Sequence, residues 1–143
     1  MSNDTKHMGL DSQQLKAELR QYYGGDQLYR SPLGSLNYTS GVRFFFNQAG
    51  NAGAYWLRDV LATQPEVRAA SRDDFVIVIL DVGDNGARLT VSRDATRPLL
   101  EEDGFKRTPV DICYQRDIHL CDTQKGEWVF YIEYGIMMLP NER

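Results

Sequence analysis

Long hydrophobic runs are missing from this chain: no segment approaches the roughly 20 apolar residues of a membrane span. The stretch Met1–Gly9 is polar and lacks the apolar segment of a secretory signal. Cysteine is scarce, and Cys113 and Cys121 are too few for a disulfide framework. Histidine is equally scarce, with His7 and His119. A structural zinc site needs about four ligands, so it would have to recruit all four of these residues. Neither the Gly-Lys-Ser/Thr phosphate loop nor G-x-G-x-x-G occurs. Positive charge is in deficit, with 16 Lys and Arg against 20 Asp and Glu, a formal charge of −4 and a pI near 5.1. Nucleic-acid binding by phosphate neutralisation is therefore disfavoured. Together these absences imply a soluble, cytoplasmic protein with no cofactor, metal or membrane signature.

What is present is an ordinary globular composition. A chain of 143 residues fits one domain that buries roughly 70% of its unfolded surface. With 42% hydrophobic and 11% aromatic residues it is not a disordered chain. Residues 1–10 read as a disordered leader and 11–143 as a single domain. Asp11 or Ser12 caps a helix carrying Leu15, Leu19 and Tyr22 or Tyr23 on one face, stopped by Gly24-Gly25. Tyr29, Pro32, Leu33, Leu36 and Tyr38 then lie in an irregular loop pinned on the core. Thr39 or Ser40 caps a second, short helix with Val42, Phe44, Phe45 and Phe46. A third runs from about Ala52 to Thr63, before Pro65, with Trp56, Val60 and Thr63 as its stripe and Leu57 and Leu61 beside it.

The second half changes period. Phe75–Val82 is a β-branched run, and Ala87, Leu89 and Val91 alternate with polar residues. Asn85-Gly86 between them is a strong hairpin signal, since both turn residues accept positive φ. A loop of that type pairs Val82 with Leu89, Leu80 with Val91 and Asp81 with Thr90. Phe75, Ile77 and Ile79 point to the other face, so the strand is covered on both sides at its start. Residues 93–107 form a charged connection, with a helical turn at Leu99-Leu100. Val110, Ile112, Tyr114, Ile118 and Leu120 share one face of a long strand. A turn at Gln124-Lys125-Gly126 sets Leu120 against Phe130 and Ile118 against Ile132. A short strand from Ile136 to Leu139 closes the chain. The expected fold is α+β: two or three N-terminal helices on one face of a four- to five-stranded antiparallel sheet.

The most distinctive stretch is Asn51-Ala52-Gly53-Ala54-Tyr55-Trp56-Leu57-Arg58-Asp59. It resembles the signature of a small family of uncharacterised bacterial and phage-borne domains. The surrounding order is similar too: Gln21-Tyr22-Tyr23-Gly24, Leu36-x-Tyr38-Thr39-x-Gly41-Val42, and the closing Met137-Met138-Leu139-Pro140-Asn141-Glu142. The likeness runs from about Ser12 to the end. It departs at Asp84-Asn85-Gly86 with its long following loop, and at Tyr114-Gln115-Arg116-Asp117. The family brings no assigned activity, hence no catalytic residues. Its mobile-element setting implies accessory roles, including antagonism of host systems.

Four features carry candidate chemistry. Glycine amides ahead of the third helix can cradle an anion, whereas Gly53, Tyr55, Trp56 and Asp59 can equally serve as a structural motif that packs the helix on the sheet. The structural role is the better supported. His119 and Cys121, about 7 Å apart on one strand face, lie too far apart for a nucleophile and its base. Tyr131 would face His119, and Val129 would face Cys121. Cys113 and Cys121 would lie about 27 Å apart in one strand, too far for a disulfide, unless a turn at Arg116-Asp117 brings them close. The acidic groups Asp73-Asp74, Asp81 with Asp84, and Glu101-Glu102-Asp103 would serve a metal-dependent hydrolase or nuclease if they converged. Arg88, Arg93, Arg97, Lys106 and Arg107 would carry any nucleic-acid contact. Eight tyrosines suit contact surfaces. The favoured expectation is a non-enzymatic protein-interaction module using Phe75, Ile77, Ile79, His119, Val129 and Tyr131 on the open sheet face. Its partner is another protein, or a second copy of the chain in a homodimer.

Overall fold

The structure is a computed structural model that describes residues 10–22, 27–72, 74–96 and 108–143. The leader over residues 1–9, the Gly24-Gly25 stop, the Leu99-Leu100 turn and the rest of residues 97–107 lie outside the described residues. Helix α1 (Ser12–Leu19) starts at Asp11, whose carboxylate accepts from the Gln14 amide while the Gln14 side chain accepts from the Asp11 amide. This reciprocal cap satisfies two of the orphan donors of a helix start. Leu15 and Leu19 face the core. Strands β1 (Leu28–Arg30) and β2 (Asn37–Thr39) follow, where the sequence suggests only a loop.

Helix α2 (Ser40–Gln48) is capped by Thr39, and it buries Val42, Phe45 and Phe46 completely. Phe45 packs on Phe130 and Trp128 of the sheet with ring centroids 4.9 and 5.5 Å apart. Helix α3 (Tyr55–Thr63) buries Leu57, Leu61 and Ala62. Its stripe is thus one residue off the expected one: Trp56 and Val60 sit at the rim of the core, and Thr63 is exposed. A fourth helix, α4 (Pro65–Arg72), uses Pro65 as its first residue, a position where the missing N–H costs nothing. A 3-10 turn at Pro140–Glu142 means that helical structure is not confined to the first half.

The remaining strands are β3 (Phe75–Gly83), β4 (Gly86–Thr96), β5 (Thr108–Ile118), β6 (Gly126–Glu133) and β7 (Ile136–Met138). They form a seven-stranded sheet in the order β1-β2-β7-β6-β3-β4-β5, larger than the four or five strands expected. It is also not wholly antiparallel, because β2 and β7 run parallel. All the helices pack on one face, over Val76, Val78, Leu80, Leu89, Val91, Phe130, Ile132 and Met137. β3 lies inside the sheet, between β6 and β4, because its near-continuous apolar run can be buried on both faces and both edges. β5 carries Asp111, Gln115, Arg116 and Asp117 in exposed positions, which suits an edge.

Two expected pairings are corrected by this order. The β3–β4 register sets Leu80 against Leu89 and Val82 against Ala87, with Asp84-Asn85 as the turn. That is a slip of two residues from the Asn85-Gly86 loop, which leaves every side chain on its expected face. The β5–β6 hairpin does not form. β6 lies between β3 and β7, with Ile132 against Val76 and Val129 against Ile79. The two-residue turn with positive φ occurs elsewhere, at Tyr134 (φ 52°) and Gly135 (φ 76°), between β6 and β7.

Candidate functional site

The face of the sheet that the helices leave bare is apolar at its centre. Ile77 and Ile79 of β3 and Tyr131 of β6 form a second cluster, joined by Phe75, Val129 and Met138. Strand alternation places all six on one side, and the registers bring them together: Ile77 lies opposite Tyr131, Ile79 opposite Val129, and Tyr131 opposite Met138. The Phe75 and Tyr131 rings meet edge to face at 4.9 Å. Ile77, Ile79 and Tyr131 are only 5–8% exposed, so the accessible part of the cluster is Phe75, Val129 and Met138. Polar groups rim it. Arg143 stacks over Phe75 at 4.3 Å and pairs with Glu133 at 3.2 Å, whereas Thr90 and Ser92, which flank Ile79 and Ile77 on β4, are buried. Further out on the same face, by register, Val110 and Ile112 of β5 stand nearly half exposed.

Five of the six residues expected on this face are therefore together, and His119 is not. It follows β5 and is exposed, and its expected neighbour Tyr131 lies beyond β4 and β3. Cys121 packs against the helix-side core, whereas Val129 belongs to the cluster on the other face, and both cysteines are free thiols. Burial pushes the Cys113 thiol above its usual range. Met138, Glu133 and Arg143 were not foreseen. For Met138 the signal was present: a two-residue Tyr134-Gly135 turn sets it opposite Tyr131.

The glycine-rich loop before α3 does cradle an anion, and the anion is the protein's own. The Asn51 amide donates to the Asp122 carboxylate at 2.9 Å, and the Gly50 amide to the Gln124 side chain at 3.0 Å. Gln124 also donates to the carbonyls of Leu10 and Gln48, and its own carbonyl accepts from the Trp128 indole. A Cβ on Gly50, which has φ +70°, would lie 2.3 Å from Asp122 Oδ1. Ala54 is fully buried, Tyr55 donates to Asn47 at 2.8 Å, and Asp59 pairs with Arg58, which reaches the Tyr38 hydroxyl.

Among the described residues no group of three or more His, Cys, Asp or Glu is placed to hold a metal ion. Asp81 belongs to the bare sheet face, whereas exposed Asp84 pairs with Lys125. Asp73 and Glu101-Glu102-Asp103 lie outside the described residues. Of the basic set, Arg88 pairs with Asp117 at 2.8 Å and Arg93 with Asp111 at 3.8 Å. Arg97, Lys106 and Arg107 again lie outside the described residues. No described helix is long and apolar enough to cross a membrane.

A family model matches residues 13–143, and the chain belongs to that family, a family of unknown function (DUF6876). No curated protein and no solved structure matches the chain.

Proposed function

We propose that the protein is a non-enzymatic binding module that docks another protein on the bare face of its sheet, in the cytoplasm. The supporting observation is the cluster of Phe75, Ile77, Ile79, Val129, Tyr131 and Met138 on three adjacent strands, with the Arg143–Glu133 pair at its margin. An apolar centre inside a polar rim is the usual layout of a protein contact. Sheets with an apolar second face generally bury it under another layer. The first partner to test is a second copy of the chain, related by a two-fold axis that sets the same patch against itself. The resemblance to bacterial and phage-borne domains makes a host component the other candidate.

The variant Val129→Lys tests this, because it places a charge at the accessible part of the patch and leaves the helix-side core alone. Sedimentation equilibrium from micromolar to millimolar concentration should show self-association of the native chain and its loss in the variant. If the native chain stays monomeric, the same pair serves as bait in host lysate. A partner held by the native chain and by Val129→Lys alike would sink the proposal.

A further inference from the structure

The sheet has a gap in its interior order. β7 covers β6 only from Glu133 to Tyr131, where Ile136, Met137 and Met138 pair with it. Continuing that register sets Pro140 against Val129, and proline has no N–H to give a neighbouring strand. The chain turns away there into the 3-10 turn Pro140–Glu142. The Tyr134 amide donates across to the Asp74 carbonyl beside β3, so the backbone groups of even-numbered β6 residues face β3. Those of the odd-numbered ones, Glu127 and Val129, consequently face the lane that β7 vacates.

That lane is a cavity of about 630 Å3, lined among others by Lys16, Leu19, Arg20, Trp128, Phe130 and Pro140. Lys16 reaches into it from α1. Its ammonium donates to the Glu127 carbonyl at 2.7 Å and rests over the Trp128 ring at 4.1 Å. A lysine thus stands where the N–H of a neighbouring strand would stand. Burial pushes that ammonium below the usual lysine range, with nearby Arg20 adding to the effect against the pull of Glu127. A carboxylate entering the lane would offset the repulsion between Lys16 and Arg20. Arg20, exposed at the end of α1, adds a second positive charge at the mouth.

We propose that this lane accepts the extended backbone of an acidic peptide segment as an added strand on β6. The Val129 amide and carbonyl, with the Glu127 carbonyl that Lys16 now holds, supply the ladder, and addition to a sheet edge is a known mode of peptide recognition. Four residues of β6, Glu127 to Phe130, give about 13 Å of edge at roughly 3.4 Å per residue. The peptide's N–H replaces the Lys16 ammonium on the Glu127 carbonyl, and the freed ammonium pairs with a peptide carboxylate beside Arg20. The wall carries Lys16 and Arg20 against the one carboxylate of Glu127, and this excess of positive charge selects acidic over basic segments. This site uses the backbone of Val129, not its side chain, and so stands apart from the bare-face patch.

The test is a titration of the 15N-labelled protein with a capped eight-residue peptide in which valine alternates with glutamate. The Val129 amide should shift and gain protection from hydrogen exchange. Arg20→Glu should weaken binding at least ten-fold. A peptide N-methylated at alternate residues, and one with lysine in place of glutamate, should not bind. Phe75→Lys, on the bare face and outside the lining of the lane, should leave binding within two-fold, so that loss of the bare-face reading and loss of this one are told apart. No shift at Val129 with millimolar peptide would overturn the proposal, as would equal binding of the N-methylated peptide or an unaffected Arg20→Glu variant.

Discussion

The Glu142 carboxylate accepts the Thr39 hydroxyl proton at 2.5 Å across 103 positions of sequence. The same carboxylate accepts from the Gly41 and Leu139 amides at 3.2 and 2.9 Å. It therefore closes the final turn and satisfies the start of α2 at once, which places negative charge at the positive end of a helix. Gly41 permits the approach, because a Cβ there would lie 2.6 Å from Leu139 and 2.8 Å from Glu142. Truncation strands three buried donors. Glu142→Ala should lower stability by about 2–3 kcal/mol, or on the order of 5–10 °C in melting temperature. Glu142→Gln, which keeps one acceptor oxygen, should lose less. In a double-mutant cycle, Glu142→Ala with Thr39→Val should show coupling well above about 0.5 kcal/mol; simple additivity would remove the tie.

Gly50 and Asp122 make a second long-range closure. Gly50→Ala meets both an unfavourable left-handed backbone and the Asp122 carboxylate, so it should cost more than the about 1–2 kcal/mol of the conformation alone. Asp122→Ala should cost about 1–2 kcal/mol through the lost Asn51 contact. Combined, the two should cost less than their sum, since removing the carboxylate removes the obstacle. Urea denaturation of the four proteins measures this, and an additive or larger loss contradicts the described contact.

Tyr134 is 66% exposed and sits at φ 52° in the β6–β7 turn. Side chains pay for that conformation, and asparagine pays least among non-glycine residues. Tyr134→Asn should therefore raise stability by about 0.5–1 kcal/mol. A thermal melt decides it, and a lowered midpoint would show that the tyrosine ring contributes more than the turn strain removes.

Much of this architecture was legible wherever local pattern and local chemistry agree. The Asp11 and Thr39 caps, the buried Phe45 and Phe46, and the sidedness of β3 all follow from short-range periodicity. The β3–β4 register was not fixed by the same signals, because a slip of two residues leaves Leu80 and Leu89 facing the core either way. The place of β6 was beyond local reasoning. Its alternation suits a hairpin with β5 as well as a seat between β3 and β7. What decides is that the apolar β3 has two edges to satisfy, and only one can go to β4. The bare-face patch was visible because its residues alternate along β3 and β6. Its companion Met138 required the turn type, and the Lys16 lane required Pro140 to be placed opposite Val129. Thr39 and Gly41 meet Leu139 and Glu142, and the glycine loop meets Asp122 and Gln124, so these two closures hold distant segments together.

Adjacent residues of β3 offer a direct measure of how bare the bare face is. Leu80 is fully buried under the helices, and Ile79, pointing the other way, is 5% exposed although only Phe75, Val129 and Met138 join its cluster of Ile77 and Tyr131 among the described residues. A half-solvated face would let Ile79→Ala cost about 1 kcal/mol, whereas truncation at a closed site costs about 2–5 kcal/mol. The described burial predicts the closed value for Ile79→Ala, within about 1 kcal/mol of Leu80→Ala. Val110→Ala and Ile112→Ala, on the exposed outer strand, should each cost below about 1 kcal/mol. Equilibrium unfolding of the four variants gives the comparison. A small loss at Ile79 would mean that the isoleucines are open to solvent in the free protein, and that the whole patch, not only its Val129 and Met138 margin, is available to a partner.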